Sequence, residues 1–142
     1  MKYWIKSNKW YLIVLTALVL ISYANSLPNG FVSDDRGVVI NAHSLSSAFS
    51  EAPTSVRPFL NFLIFKLVGL HPFAFRFINM LFHIGVTWLT FSIAGKLINK
   101  TIAFIAATLI SVHPILVESI TWISGGVYVQ YAFFFLLSLL CY

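Results

Sequence analysis

The sequence has very little charge: only 9% of its 142 residues are Asp, Glu, Lys or Arg, whereas 59% are hydrophobic. Soluble domains carry roughly 25% charged residues, so this composition excludes an ordinary water-soluble domain. Nine basic residues against four acidic ones give a net charge of +5. The basic residues flank apolar runs and form no stripe, which excludes a nucleic-acid-binding surface. The composition therefore predicts an integral membrane protein.

The sequence also lacks the residue patterns of several common sites. Its one cysteine, Cys141, lies in the last apolar run and has no partner for an internal disulfide. The four histidines are far apart in sequence and have no cysteine ligands beside them, so no metal site is predicted. There is no glycine-rich phosphate loop and no internal repeat, so the sequence gives no support to nucleotide binding.

Apolar runs define the predicted organisation. About 20 helical residues cross a hydrocarbon core of about 30 Å. We therefore expect one all-helical transmembrane domain over residues 1–142, a bundle of about four spans. The spans are predicted near 10–27, 73–95, 98–113 and 127–142. A cleaved signal peptide is the alternative for the first run, but the length of that run and the aromatic residues at both its ends favour an uncleaved anchor.

Residues 28–72 contain the longest polar stretch and are predicted to form an outer loop. Pro58 suits the first turn of a helix, and the apolar run after it is too short to span, so we expect an interfacial helix there. Lysines at the ends of the first two spans predict a cytoplasmic amino terminus and place the loop outside. These lysines are Lys2, Lys6, Lys9, Lys96 and Lys100.

A polar stripe is predicted along the second span. Its members are three or four residues apart, which places them on one face of a helix. Polar side chains at this depth do not face lipid, so the stripe is expected to face other helices or a wet cavity. Its members are Arg76, Asn79, His83, Thr87 and Thr90.

The adjacent carboxylates Asp34 and Asp35 are the main candidates for chemistry. They are half of all the carboxylate side chains, and they lie directly after the first span. A carboxylate can take a proton from an acceptor hydroxyl, which is the role of a general base. The alternative is a structural one, because turns and helix caps also favour Asp.

Other charged residues of the predicted outer side are candidates for binding a substrate phosphate. Arginine and histidine stabilise the negative charge that develops on a departing phosphate. Arg57 has a structural alternative as an anchor at the headgroups, and His113 precedes Pro114, which can simply end a helix. Glu118 lies in an apolar stretch, where a carboxylate is functional by default. The candidates are Arg36, Arg57, His113 and Glu118.

Four segments occur in an order that resembles a known family. They are FVSDD at 31–35, VRPF at 56–59, GLHPF at 69–73 with FINMLFH at 77–83, and VHPILVESITWISG at 112–125. In this order they resemble the amino-terminal half of the C-type (GT-C) polytopic membrane glycosyltransferases. The resemblance is greatest to the transmembrane O-mannosyltransferases with tetratricopeptide repeats and to their bacterial relatives.

The resemblance implies a reaction and roles for particular residues. It implies transfer of a sugar, typically mannose, from a polyprenyl or dolichyl phosphate donor to an acceptor hydroxyl, with inversion and without a cofactor or an obligatory metal. Asp34 matches the family's proposed base and Asp35 lies beside it, while Arg57, His113 and Glu118 match positions near the active site. The implied partners are the lipid bilayer, the lipid-linked sugar and a downstream half of the enzyme. The implied membrane is the bacterial plasma membrane or the endoplasmic reticulum.

The sequence also departs from the family pattern. Gly126 and Val127 stand where the family usually has an arginine and an acidic residue, and Leu116 replaces a second histidine. Family enzymes also have considerably more spans, so we expect a front portion that is inactive in isolation. The alternatives are a non-catalytic subunit or flippase-like protein that binds lipid-linked sugar, and an inactive fragment.

Overall fold

The computed structural model describes residues 2–41, 44, 46, 50 and 56–142, and every regular element in these residues is helical. The all-helical fold class is thereby confirmed. Part of the predicted outer loop, at 42, 43, 45, 47–49 and 51–55, lies outside the described residues. The described α-helices are α1 (Lys2–Tyr23), α2 (Asp35–Asn41), α3 (Arg57–Val68), α4 (Pro72–Leu97), α5 (Lys100–Val112), α6 (Val117–Thr121) and α7 (Gly126–Cys141).

Two described segments are long and apolar enough to cross a membrane. They are Lys6–Ser26, with 21 residues, and α4, with 26. Helix α5 and the segment Pro114–Thr121 form a pair bent by 50°, which makes a third span if the two count as one. Helix α7 is apolar but has only 16 residues. The described part of the chain therefore contains two or three helices of spanning length and composition.

Helix α4 is the central element, and α1, α5 and α7 pack around it. Three apolar clusters follow one another along the bundle. The cluster nearest the lysine-bearing ends of α1 and α4 contains Leu15 and Phe91, and the middle cluster contains Val19 and Met80. The third cluster lies at the opposite end and contains Val39, Ile64, Phe75 and Ile123. Helices α4 and α7 run in the same direction, because Gly126 lies against Asn79 and Phe133 lies against Gly85.

The polar stripe of α4 faces the protein interior, as its spacing predicts. Arg76, Asn79, His83 and Thr87 are each at most 2% exposed, whereas Thr90 is half-buried. A helix that buries its polar face and exposes large apolar side chains such as Phe73 and Phe77 suits a surrounding of lipid.

Helix α3 shows the same inverted pattern in a shorter element. It buries Arg57, Asn61 and Ile64, whereas Phe59 and Leu63 are exposed. Pro58 occupies its first turn, where a missing backbone N–H costs nothing. Gly69 ends it with φ 69°, a left-handed conformation in which glycine is favoured.

Asn99 starts α5 by accepting a hydrogen bond from the Ile102 backbone N–H at 2.9 Å. Loss of an N-cap acceptor of this kind costs about 1 kcal/mol. We therefore expect Asn99→Ala to lower the unfolding temperature of the detergent-solubilised chain, followed by far-ultraviolet circular dichroism. Asn99→Ser, which keeps a capping oxygen, should unfold close to the unsubstituted chain. Equal unfolding temperatures for the alanine and serine variants would contradict this role.

Candidate functional site

Asp35 lies at the centre of a buried polar network at the end of the bundle opposite Lys96 and Lys100. Its side chain is 0% exposed. Its Oδ1 accepts hydrogen bonds from the Ser124 backbone N–H and hydroxyl, each at 3.0 Å. Its Oδ2 accepts one from the Val32 backbone N–H at 3.0 Å and lies 3.9 Å from Arg76 Nη2. The carboxylate is therefore fully engaged in holding the loop before α2 to the loop before α7.

Arg76 is the cation that accompanies Asp35, and it is 2% exposed. Its Nε donates to the Thr121 carbonyl at 2.7 Å and its Nη2 donates to the Gly30 carbonyl at 2.5 Å. Its Nη1 donates to the Asn29 carbonyl. The planar guanidinium thus satisfies three backbone oxygens from two separate loops while it neutralises a buried acid.

Arg57 and Asn79 form the second half of the network. Arg57 Nη1 donates to Asn79 Oδ1 at 2.7 Å, and its Nη2 donates to the Ile123 carbonyl at 2.6 Å. Asn79 Nδ2 donates to the Trp122 carbonyl at 3.2 Å. Burial lowers the pKa of the Arg57 guanidinium to about 10, and the nearby Asp35 carboxylate opposes this shift. Arg57 therefore remains a cation at neutral pH.

Together these side chains bind backbone groups of four consecutive residues, 121–124, which are the last residue of α6 and the first three of the linker to α7. We call this arrangement the linker clamp. The carbonyls of residues 121, 122 and 123 accept from Arg76, Asn79 and Arg57, and the N–H of residue 124 donates to Asp35. Buried backbone groups need partners, and here the partners are side chains of α2, α3 and α4.

Asp34 has the opposite environment from its neighbour. It is exposed, and its side chain makes no hydrogen bond to the described part of the chain. It follows Ser33, whose φ of 53° is unusual for a residue other than glycine, and it directly precedes α2. The start of α2 thus directs one carboxylate into the bundle and leaves the other exposed.

A cleft of about 370 Å³ opens beside this network. Val32, two residues before Asp34, lines one side of it, and Arg76 lines it as well. The other lining residues are Asn25, Ser26, Asn29, Val117, Thr121 and Trp122. The cleft is therefore formed by the turn that follows α1, the loop before α2, the start of α4, and α6 with the residue after it.

The remaining sequence candidates lie at the surface, and their side chains make no hydrogen bond to the buried network in the described residues. His113 is exposed; its Nδ1 accepts from the Ile115 backbone N–H at 3.2 Å, and its carbonyl accepts from the Tyr23 hydroxyl at 3.1 Å. Glu118 is exposed on α6, and Arg36 is exposed in the first turn of α2. The structure thus brings Asp35 and Arg57 into one network and leaves Arg36, His113 and Glu118 exposed.

Three members of the network were not among the sequence-predicted site residues: Arg76, Asn79 and Ser124. The stripe spacing placed Arg76 and Asn79 on the interior face of their helix, but it gave no partner for either. Ser124 has no spacing pattern of its own. Among the described residues, no group of three or more His, Cys, Asp or Glu side chains is placed to hold a metal ion.

The inverted polar and apolar faces of α4, its length and the buried ionic network define the class of an all-helical polytopic membrane protein. Comparison with known proteins shows which proteins the chain is related to. The chain is 32% identical to human protein O-mannosyl-transferase TMTC2 over 92% of its own length, and 29% identical to human TMTC1 over 91%. It is 29% identical to Drosophila melanogaster Tmtc1 over 89%. The chain is therefore a homologue of the protein O-mannosyl-transferases, and the resemblance inferred from the four segments is confirmed.

The chain spans only a small part of these relatives, 18% of TMTC2 and 17% of TMTC1. No family model matches the chain, and no solved structure matches it.

Proposed function

We propose that this chain forms the front portion of a GT-C membrane glycosyltransferase. The enzyme transfers a sugar, mannose by analogy with the relatives' names, from a polyprenyl or dolichyl phosphate donor to an acceptor hydroxyl at the outer membrane face. Homology to protein O-mannosyl-transferases over nine-tenths of the chain supports the reaction class. The contrast between Asp34 and Asp35 is the observation on which the assignment of residues rests.

Asp34 is the general base in this proposal. Its exposed carboxylate has no competing partner in the described residues, so an acceptor hydroxyl can approach it and lose its proton to it. Asp35 is a positioning residue, because its oxygens already accept three hydrogen bonds. The buried Asp35 anchors the first turn of α2 and so fixes where Asp34 stands.

Four residues remain candidates for the substrate side of the reaction. Arg36, His113 and Glu118 are exposed and accessible. Arg57 adds positive charge near the site, but both its terminal nitrogens bond to the protein. Arg57 is also only 5% exposed, so direct binding of a donor phosphate requires its side chain to become accessible.

The proposed topology has about four spans, α1, α4, α5 with α6, and α7, and an interfacial α3. The apolar outer face of α3, with Phe59 and Leu63 exposed, supports insertion into the headgroup region. Exposed lysines cluster at the opposite end of the bundle, where α1 begins and α4 ends; they are Lys6, Lys9, Lys96 and Lys100. This separation supports a cytoplasmic amino terminus and an outer site.

The test is substitution of Asp34 in the protein's native setting. Membranes from the source organism with Asp34→Asn at the chromosomal locus should lose at least about 100-fold in transfer of radiolabelled mannose from polyprenyl phosphomannose, because a general base contributes about 10²–10⁴-fold. Lys96→Gln is the control, since it removes an exposed charge at the opposite end of the bundle from the proposed base, and it should retain most transfer. Immunoblotting checks that chain levels are equal. Transfer at the unsubstituted rate in Asp34→Asn membranes would contradict the assignment and favour a non-catalytic protein that binds lipid-linked sugar.

A further inference from the structure

The cleft beside the linker clamp has the composition of a site for an uncharged, hydroxyl-rich ligand. Its volume of about 370 Å³ lies within the range of small-molecule pockets, about 300–1,000 Å³. Arg76 is the one charged residue among those that line it. The three guanidinium nitrogens of Arg76 already donate to backbone carbonyls, and Asp35 offsets its charge. Arg76 is also only 2% exposed, so the cleft offers a phosphate no accessible cation.

Two amide side chains in the cleft are uncommitted. The side chains of Asn25 and Asn29 are exposed and make no hydrogen bond within the described part of the chain. Each amide offers two N–H donors and a carbonyl acceptor. Because a sugar hydroxyl both donates and accepts, this pair matches vicinal hydroxyls on a pyranose ring.

Trp122 supplies an aromatic surface in the same cleft. Its ring packs over Gly125, where a Cβ would come within 3.1 Å of the ring. The indole N–H is buried and has no hydrogen-bond partner in the described residues, so a ligand oxygen satisfies this costly buried donor only if the ring shifts toward the cleft. Asn79 of the linker clamp donates to the Trp122 carbonyl and so fixes the backbone that carries the indole ring.

We propose that this cleft binds the sugar ring of the substrate, with Asn25 and Asn29 on its hydroxyls and Trp122 against its apolar face. The choice of a sugar as ligand rests on the proposed glycosyl-transfer function. The location of the site does not rest on that function, because it follows from the two uncommitted amides, the indole and the lack of an accessible cation in the cleft. Val32 lines the cleft and lies two residues before Asp34, so the cleft and the proposed base share one loop.

The experiment measures binding, which needs no turnover. The chain is reconstituted in lipid nanodiscs with Trp4, Trp10 and Trp88 replaced by Phe, so that Trp122 is the only indole. A short-chain prenyl phosphomannose is the probe, and the same prenyl phosphate without sugar is the comparison ligand. We expect a saturable change in Trp122 emission with the phosphomannose and no such change with the prenyl phosphate.

Two variants and a control locate the site. Asn25→Ala and Asn29→Ala should each weaken phosphomannose binding about fivefold, which corresponds to the loss of one net hydrogen bond. Both side chains are exposed and bond to nothing described, so circular dichroism should show an unchanged fold. Asn99→Ser, at the opposite end of the bundle, should bind like the parent chain.

The outcomes separate this proposal from the proposed function. Equal responses to phosphomannose and prenyl phosphate, no response to either, or undiminished affinity in both asparagine variants would each overturn the sugar site. Sugar binding that depends on Asn25 and Asn29 would support it even if Asp34→Asn membranes keep their transfer activity. In that case the sugar site is supported and the assignment of Asp34 as the general base is contradicted.

Discussion

Asp35→Ala is expected to lower the free energy of unfolding by about 3–5 kcal/mol, the usual cost of removing one partner from a buried ion pair. The substitution leaves the Arg76 cation buried without its carboxylate. It also leaves the backbone N–H groups of Val32 and Ser124 without acceptors. Because Asp35 is 0% exposed, water does not replace these partners without opening the network.

The adjacent Asp34 is the matched control for this experiment. Asp34→Ala removes an equal side chain from an exposed position, so the expected change lies within about 0.5 kcal/mol. Asp35→Asn should fall between the two, since its amide oxygen still accepts from Ser124 but no longer neutralises Arg76. Unfolding is followed by circular dichroism in a mild detergent titrated with sodium dodecyl sulfate. Equal losses for Asp34→Ala and Asp35→Ala would show that the buried network does not stabilise the fold.

Gly126→Ala is expected to cost about 2–4 kcal/mol, which combines overpacking with the loss of a buried hydrogen bond. A Cβ on Gly126 would lie 2.2 Å from Asn79 Oδ1 and 2.5 Å from its Nδ2. The Asn79 amide therefore has to move. It is bonded to Arg57 on one side and to the Trp122 carbonyl on the other, so the movement breaks the linker clamp in its middle.

Gly37→Ala provides the comparison for Gly126→Ala. Gly37 lies within α2, and a Cβ there meets nothing within 4 Å. Alanine is favoured over glycine inside a helix by about 0.8–1.0 kcal/mol, so this variant should be slightly more stable than the parent. The two substitutions thus make the same chemical change with opposite expected signs. A Gly126→Ala chain as stable as the Gly37→Ala chain would contradict the close approach of α7 to Asn79.

Much of the fold follows from patterns within single segments. Apolar runs indicate the helices, and the three- and four-residue spacing from Arg76 to Thr87 identifies the interior face of α4. The helices extend beyond the apolar runs: α1 begins at Lys2, before the run at 10–27, so the helix continues into its lysine-bearing flank. The break between α5 and α6 falls at His113 and Pro114, where proline cannot continue the preceding helix.

The candidate site was only half predictable. Asp34 and Asp35 are recognisable as candidates because they are adjacent, but nothing in the local sequence shows which of the two acids is buried and which is exposed. That difference comes from contacts with Ser124 and Arg76, which are 89 and 41 positions away from Asp35. The partners in the linker clamp are mostly backbone carbonyls, and every residue has one. Side-chain patterns therefore could not reveal where Arg57, Arg76 and Asn79 make their bonds.

The linker clamp also has a consequence for the order in which the chain assembles. Asp35, Arg57 and Arg76 are synthesised early, yet their backbone partners at 121–124 enter the membrane only after two further helices. Until then these charged groups have to stay hydrated or bind one another. The hydrogen bonds at this end of the bundle are therefore complete only once the α6–α7 linker is in place.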